Sequence, residues 1–292
     1  MKNKIRQSWQ DIVFDVIVHV LLIGFAVLCV MPVWHLLMAA FSNTSDIAMA
    51  EGLILWPKKV DFGALKLVFQ HKNLLSGFKN TLLYLAGALP LNILLTVMAG
   101  YFLACKGMKF KPLFAGLITF TMFFSGGMIP KYLNMRDLDL IGSLWAVIFV
   151  NTISVYNTMI CKASIEAVPD SLVDSAYIDG ANDFQIIFKV ILPLIKATIA
   201  VLLLYYGVSH WNAWFSASIY LKDVDKLPLQ NILRTILIAN SSGGDMASDE
   251  FNAYAETIKY AMIVVSTAPI MCVYPFLQKY FAKGALIGAV KG

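Results

Sequence analysis

The chain has 292 residues, of which 59% are hydrophobic and only 14% are charged, and its mean hydropathy is +0.71. Soluble domains carry about a quarter charged residues, so this composition excludes an ordinary soluble domain and indicates a polytopic membrane protein. The formal net charge of +5 gives no support to a nucleic-acid role, because cytoplasmic loops of membrane proteins accumulate Lys and Arg in any case.

Six apolar runs are long enough to cross a hydrocarbon core of about 30 Å, which takes about 20 helical residues. They lie at 15–40, 79–104, 113–130, 141–163, 194–215 and 257–277. We therefore predict an all-α fold with six transmembrane helices. Residues 15–277 would form the transmembrane domain, with tails at 1–14 and 278–292. The Gly126-Gly127 pair near the end of the third run predicts an irregular outer end that is buried in protein.

The short basic segments predict the orientation. They are the N-terminal tail with Lys2, Lys4 and Arg6, the turn with Lys106, Lys109 and Lys111, and the C-terminal tail with Lys279, Lys283 and Lys291. An even number of crossings places all three on one side, and the positive-inside rule makes that side cytoplasmic. The segment around Lys58 and Lys72 is also basic, but longer segments translocate largely regardless of charge. We therefore expect a cell-membrane protein with both termini and the loop 164–193 in the cytoplasm.

That loop carries several helix signals. Ser171 and Asp174, which follow Pro169, predict a capping box and a helix that starts near Leu172. Gly180 is expected to end this helix in a left-handed conformation. Asn182 is expected to cap a second helix, which Pro193 would stop. The loop has five acids, Glu166, Asp170, Asp174, Asp179 and Asp183, against one cation, Lys189. Anionic lipid headgroups attract basic faces, so we interpret the loop as a docking element for a soluble partner.

The spacing in this loop resembles the cytoplasmic loop of permease subunits in binding-protein-dependent ABC importers. The pattern of that family is acid-Ala-Ala, three residues, Gly, nine residues, then Ile-x-Leu-Pro. The residues at those positions here are Asp174, Ser175, Ala176, Gly180, Val190, Leu192 and Pro193, with conservative departures at Asp174, Ser175 and Val190. Three further segments are similar to permeases of the oligosaccharide branch: Leu55-Trp56-Pro57, Asn80-Thr81-Leu82 and the ending 283–292.

The resemblance implies a type I ABC importer permease fold and a division of labour among subunits. The permease would pair with a second permease, with a heterodimer favoured over a homodimer, and with two cytoplasmic ATPase subunits that hold ATP and Mg²⁺. An extracytoplasmic solute-binding protein would deliver the sugar. The implied ATPase-docking residues are Leu172, Asp174, Ser175, Ala176, Tyr177, Asp179, Gly180, Ala181, Phe188, Leu192 and Pro193. Asp174 stands at the position of the family's glutamate, and its shorter side chain reduces the reach of a salt bridge.

Polar and aromatic residues inside the apolar runs are candidates for a translocation path, since they are costly in a membrane unless they face a cavity or a partner. The candidates are Asn151, Ser154 and Asn157 in the fourth run and Tyr205, Ser209, His210, Trp211 and Asn212 in the fifth. Aromatic faces with amide and hydroxyl neighbours suit a carbohydrate. Two alternatives stay open: aromatic residues also anchor helices at membrane interfaces, and polar residues join helices to one another.

The sequence contains no G-x-x-x-x-G-K-[ST] phosphate-binding loop, and no pattern resembles a catalytic triad, a paired-carboxylate site or a metal box. We therefore expect no catalytic residue, metal or cofactor in this chain, with ATP hydrolysis carried out by a partner. Cys29, Cys105, Cys161 and Cys272 lack CxxC spacing and are predicted to be buried apolar thiols. The alternatives for function are a permease for peptide or another solute and an ion-coupled secondary transporter. The second class commonly shows intramembrane charges and inverted repeats, which we do not find here.

Overall fold

The computed structural model describes residues 8–107, 109–241 and 253–289, and the regular secondary structure within these ranges is helical apart from one isolated bridge between Ser42 and Val60. The all-α prediction is therefore confirmed. Two compact units divide the chain: one comprises Met1–His71 and Ile236–Thr267, the other Lys72–Thr235 and Ala268–Gly292. Helices α13 (Leu229–Ser241) and α14 (Ala255–Ala289) have residues in both units.

The first unit contains the N-terminal helices α1 (Trp9–Ala40), α2 (Thr44–Ala48) and α3 (Gly63–Gln70). The segment that follows α1 is tied to the end of that helix by side chains. Trp34 Nε1 donates to the Leu55 carbonyl at 2.8 Å, and His35 Nδ1 accepts from the Ile54 amide at 2.9 Å. His35 is therefore a packing residue.

The second unit contains the candidate site and begins with the long helix α4 (Leu74–Ala104). The helices after it are α5 (Lys111–Phe123), α6 (Met128–Asp137), α7 (Leu144–Val150), α8 (Val155–Glu166), α9 (Asp170–Ile178), α10 (Asp183–Leu194), α11 (Lys196–Trp211) and α12 (Trp214–Tyr220). Helix α4 packs closely on α8 at Gly100. A Cβ atom added there would lie 3.1 Å from Cys161 Sγ and 3.2 Å from the Lys162 amide nitrogen.

Three of the predicted membrane crossings are broken helices. Three single helices are long and apolar enough to cross a membrane, Trp9–Ala40, Leu74–Ala104 and Ala255–Phe276, within the described residues. Three pairs of helices are long and apolar enough to cross a membrane only when both members are taken together. The pairs are α5/α6, α7/α8 and α10/α11, and they bend by 115°, 58° and 87°. By length and composition, the described residues thus provide three candidate spans, or up to six if each bent pair crosses the membrane as one. Helix α5 alone has 13 residues and reaches about 20 Å, less than the hydrocarbon core requires.

The burial predictions had different outcomes. Residues 124–130, at the end of the third run, are irregular at first as expected, and they are exposed on this chain alone, so their burial against another protein stays a prediction. Among the cysteines, Cys161 is buried and Cys105 is partly buried, whereas Cys29 and Cys272 are exposed, so the prediction was wrong for two of the four. A lipid-facing surface is as apolar as a protein core, so hydrophobicity alone does not indicate burial in a membrane protein.

Candidate functional site

The loop 164–193, called the docking loop below, begins with the short helix α9. Pro169 occupies the N-cap position without a side-chain hydrogen bond, and Asp170 lies in the first turn, where a carboxylate interacts favourably with the helix dipole. The predicted capping box of Ser171 and Asp174 is wrong. Ser171 lies inside the helix, and its carbonyl accepts a bond of 2.7 Å from Ser175 Oγ. Proline, with its fixed φ, starts the helix at Asp170, two residues earlier than a Ser171 cap would.

Helix α9 ends in a Schellman motif around Gly180. The Ala181 amide donates to the Ala176 carbonyl and the Gly180 amide donates to the Tyr177 carbonyl, each at 3.0 Å. These are the two bonds that define the motif, with glycine in the left-handed position. Gly180 has φ of +79°, so the prediction of a left-handed helix end is confirmed. No atom lies within 4 Å of a Cβ built on Gly180, so the backbone conformation, not a lack of space, requires glycine there.

Asn182 caps α10 as predicted. Its Oδ1 accepts from the Gln185 amide at 2.9 Å, and Gln185 Oε1 accepts from the Asn182 amide at 3.0 Å, which completes a capping box. Helix α10 ends at Leu194, one residue after Pro193, and the chain bends by 87° into α11, so the prediction that this helix stops at Pro193 is confirmed to within one residue. The residues just before the proline, Ile186–Ile191, form a π-helical turn.

One face of the docking loop packs on the membrane helices and the other is exposed. Ile186, Ile187 and Ile191 are buried in a cluster with Val97 of α4 and Cys161 of α8. Helix α9 has no buried residue, and Ile178 is 86% exposed. Of the predicted docking residues, the exposed ones are Leu172, Asp174, Ser175, Tyr177, Asp179, Gly180, Phe188 and Pro193, whereas Ala176, Ala181 and Leu192 are half-buried. Most of the predicted docking residues are thus exposed on this chain.

A polar cluster that the sequence did not reveal joins α4, α9 and α10. Tyr177 hydroxyl donates to Asp183 Oδ1 at 2.6 Å, and Tyr101 hydroxyl lies 3.1 Å from both Asp183 Oδ1 and the Tyr177 hydroxyl. We call these three residues the tyrosine–aspartate cluster. The hydrogen bond to Asp183 raises the pKa of the Tyr177 hydroxyl above its ordinary value, so this donor keeps its proton at neutral pH. Tyr101 is only 6% exposed, and nothing in its local sequence distinguishes it from an interfacial tyrosine.

Beside this cluster lies an open cleft of about 650 Å³ between the end of α4, the turn that follows it and α9. Its lining combines Lys106 and Lys111 with the acids Glu166, Asp170, Asp174 and Asp183. Lys106 Nζ contacts Asp170 Oδ2 at 2.6 Å, and this hydrogen bond raises the pKa of Lys106. Both side chains are exposed, so the pair adds little to stability. Lys111 Nζ donates to the Cys105 carbonyl at 2.9 Å, at the C-terminus of α4.

The candidate path residues of α11 separate into two groups. Tyr205, Ser209 and Asn212 are exposed and follow one another at helical spacing, so they share one face. We call them the α11 polar face. The ring of Tyr156 on α8, which is also exposed, lies 6.3 Å from the ring of Tyr205.

His210 and Trp211 lie on the opposite side of α11 and are buried. Asn92 Nδ2 donates to the Asn151 and Thr152 carbonyls at 3.2 and 2.5 Å, so its Oδ1 is the acceptor for His210 Nε2 at 2.8 Å. His210 Nδ1 is then free to accept from the Tyr84 hydroxyl at 2.7 Å. His210 is thus hydrogen-bonded at both ring nitrogens and joins α11 to α4.

The remaining candidates lie at the break between α7 and α8, residues 151–154, called the break segment below. Ser154 is the N-cap of α8, and its Oγ accepts from the amide of Asn157, whose side chain is buried. Asn151 Nδ2 donates to Ser216 Oγ at 3.3 Å. The Ser154 amide donates to the Tyr206 hydroxyl at 3.0 Å, and that hydroxyl contacts Thr96 Oγ1 at 2.7 Å. Helix α4 therefore holds the break segment at two points. Asn92 bonds it directly, and Thr96 bonds the Tyr206 hydroxyl, which in turn bonds the Ser154 amide.

Within the described ranges, no group of three or more His, Cys, Asp or Glu side chains is arranged to hold a metal ion. The polar chemistry of the site is thus hydrogen bonding and ion pairing at the docking loop, and hydrogen bonding beside aromatic rings at the α11 polar face.

Comparison with known proteins identifies what this arrangement is similar to. The sequence model of the family described as "Binding-protein-dependent transport system inner membrane component" matches residues 6–286. The polygalacturonan/rhamnogalacturonan transport system permease protein YtcP of Bacillus subtilis is 38% identical over 299 residues, which cover 100% of both chains. The protein LplC of the same organism is 35% identical over 282 residues, 96% of this chain and 95% of LplC.

A solved structure shows the same fold. A chain of a bacterial ABC transporter involved in the import of the acidic polysaccharide alginate superimposes with a TM-score of 0.82 and 30% sequence identity. The match covers 95% of this chain and 100% of that one. The overall fold of this chain is therefore one that is already known from a solved transporter.

Proposed function

This chain belongs to the family of binding-protein-dependent transport system inner membrane components, and we propose that it is a permease subunit that carries an oligosaccharide across the cell membrane. The single observation that carries the proposal is the docking loop. Its first helix exposes Leu172, Asp174 and Ile178, while the second helix is anchored in the membrane region by Ile186 and Ile191. A loop needed only to connect two spans requires neither an exposed apolar helix nor a buried anchor.

The partner of this loop is a cytoplasmic ATPase. Exposed apolar side chains on a short helix suit insertion into a groove of a soluble protein. The acids Asp174 and Asp179 flank them and are exposed, so they are free to meet basic residues at the rim of that groove. Asp170 already pairs with Lys106 and is less suited to this role. The orientation with both termini and the docking loop in the cytoplasm follows from the distribution of lysines and is part of the proposal.

The proposed substrate is a carbohydrate. The relatives named for polygalacturonan, rhamnogalacturonan and alginate support this class over peptides. The α11 polar face offers matching chemistry, since the ring of Tyr205 can stack on a sugar ring and Ser209 and Asn212 can hydrogen-bond its hydroxyl groups. His210 and Trp211 support this face from behind. An ion-coupled secondary transporter has no support from the family to which the chain belongs.

The proposed assembly contains a second, different permease, two ATPase subunits and an extracytoplasmic solute-binding protein. One docking loop per chain fills one groove of a symmetric ATPase dimer, so a second permease must fill the other. The two permeases would form the path together, and the α11 polar face of this chain would contribute one side of it.

The test is to purify the complex through a tag on this chain, with its genomic neighbours co-expressed, and to reconstitute it in proteoliposomes. ATP hydrolysis is then measured with the binding protein and a panel of oligogalacturonates, alginate oligomers, neutral oligosaccharides and short peptides. We expect an ATPase to co-purify and one class of oligosaccharide to stimulate hydrolysis. Stimulation by peptides alone, or a complex without an ATPase, would contradict the proposal.

A further inference from the structure

The tyrosine–aspartate cluster connects the docking helix to the membrane helices through one buried residue, Tyr101. In the described part of the chain, the side chains of α9 make two hydrogen bonds to α4 and the turn after it. One joins Tyr177 to Tyr101, and the other joins Asp170 to Lys106. The second pair is exposed on both sides and is weakened by solvent. The Tyr177–Tyr101 pair includes the buried residue Tyr101. Both hydroxyl groups also bond the Asp183 carboxylate, whose charge strengthens these hydrogen bonds.

Asp183 unites three helices at one oxygen atom. It is the first residue of α10, Tyr177 lies in the last turn of α9 and Tyr101 in the last turn of α4. Both hydroxyl groups reach the same Oδ1, at 2.6 and 3.1 Å. A carboxylate only accepts hydrogen bonds, so Tyr177 gives its one proton to Asp183. The proton of Tyr101 is shared between Asp183 and the Tyr177 oxygen. A rotation of α9 must therefore either break these hydrogen bonds or move Tyr101 and Asp183 along with Tyr177.

Helix α4 continues the connection to the candidate path. Thr96 and Asn92 lie about 7 and about 13 Å along the helix axis from Tyr101, at 1.5 Å per residue. Asn92 holds the carbonyls of Asn151 and Thr152, and Thr96 holds Tyr206, which accepts from the Ser154 amide. The same helix thus contacts the docking helix at one end and the break segment further along.

We propose that Tyr101, Tyr177 and Asp183 are positioning residues that transmit movement of the docking helix α9 through α4 to the break segment at residues 151–154. This inference rests on the proposed function, because it needs an ATPase that moves α9. The three residues would transmit this movement without contacting the ATPase themselves. Asp174 and Ile178 would make the contact, and the cluster would convert it into movement of α4.

The experiment uses the assembled complex with a nitroxide spin label at Ile153→Cys, an exposed residue of the break segment, and the native cysteines of this chain replaced by serine. The nitroxide line shape is recorded without nucleotide and with Mg-ATP plus orthovanadate. Tyr177→Phe and Tyr101→Phe each remove one hydroxyl and keep the ring. Tyr274→Phe, at an exposed tyrosine of α14, is the matched control. Co-purification of the ATPase is measured for every variant.

We expect an ATP-dependent change at residue 153 in the parent and in Tyr274→Phe, and its loss in both cluster variants while the ATPase still co-purifies. The double variant should show no further effect, since residues that act through one unit are not additive. An unchanged response in the cluster variants would overturn the proposed transmission through the cluster and leave docking intact. No response in a parent complex that still contains its ATPase would do the same. Loss of the ATPase only in the cluster variants would also overturn it, because the cluster would then shape the docking surface. If no ATPase co-purified with the parent complex, the proposed function and the proposed transmission would both be refuted.

Discussion

His210 Nε2 donates a hydrogen bond of 2.8 Å to Oδ1 of Asn92, and this bond joins α11 to α4 in the buried part of the second unit. Asn92 passes the connection on to the carbonyls of the break segment. His210 belongs to a sequence cluster that suggested a translocation path. Its position instead fits the alternative that polar residues join helices in a membrane protein, whereas its neighbour Ser209 is exposed on the opposite side.

Asn92→Leu should destabilise the protein. It leaves the His210 Nε2–H and the carbonyls of Asn151 and Thr152 without their partner, and each unsatisfied buried group costs about 1–3 kcal/mol. We expect the unfolding temperature in detergent, measured by tryptophan fluorescence, to fall by several degrees. Asn134→Ala, at an exposed asparagine of α6, is the control and should leave it unchanged. Equal unfolding temperatures for the two variants would show that the buried network does not stabilise the fold.

Gly180→Val should uncouple ATP hydrolysis from transport without preventing membrane insertion. The φ of +79° costs a residue with a Cβ about 1–2 kcal/mol, and a β-branched residue fits worst. Gly180→Asn should be milder because asparagine tolerates the left-handed region. Gly116→Ala in α5, where a Cβ meets no atom within 4 Å, is the control. Normal substrate-stimulated ATP hydrolysis in Gly180→Val would count against a required Schellman motif.

The proposed orientation predicts which positions react with a membrane-impermeant maleimide in intact cells. Ala181→Cys, in the docking loop, should not react until the membrane is permeabilised, because it lies in the cytoplasm. Ala50→Cys, in the segment after α1, should react at once. Ala50 is exposed and Ala181 is half-buried, and cysteine behaves as a small hydrophobic residue like alanine. The opposite labelling pattern would show that the chain has the opposite orientation in the membrane.

Tyr205→Ala should weaken transport without unfolding the protein. If the α11 polar face contacts sugar, loss of one aromatic stacking contact, worth about 0.5–1.5 kcal/mol, should raise the apparent KM for uptake by roughly two- to tenfold. Tyr274→Ala, at another exposed tyrosine, is the matched control. An unchanged KM with both variants would remove Tyr205 from the translocation path.

Native mass spectrometry of the extracted complex should show one copy of this chain, one different polytopic subunit and two ATPase subunits. The expectation follows from one docking loop per permease and from the resemblance to the oligosaccharide branch. Two copies of this chain with no other polytopic subunit would refute the heterodimer. The sugar site would then have to be built from two copies of the α11 polar face.

The docking loop was largely predictable because its shape depends on neighbouring residues. Gly180 ends a helix in the left-handed region, and Asn182 caps the next one, for reasons of local hydrogen bonding. A local rule failed where two of them competed, because Pro169 started α9 before Ser171 could cap it.

The sequence by itself determined that this protein is helical, that it is a membrane protein and that Gly180 separates two helices in the loop 164–193, because composition and turn chemistry are properties of adjacent residues. Only the tertiary structure decided which side chains meet. Tyr101 and Asp183 are 82 positions apart and His210 and Asn92 are 118 apart, and helix packing alone brings them together. It also decided that Ser209 is exposed while His210 is buried. In a membrane the lipid-facing surface is as apolar as the core, so hydrophobic pattern does not show which face of a helix packs against another.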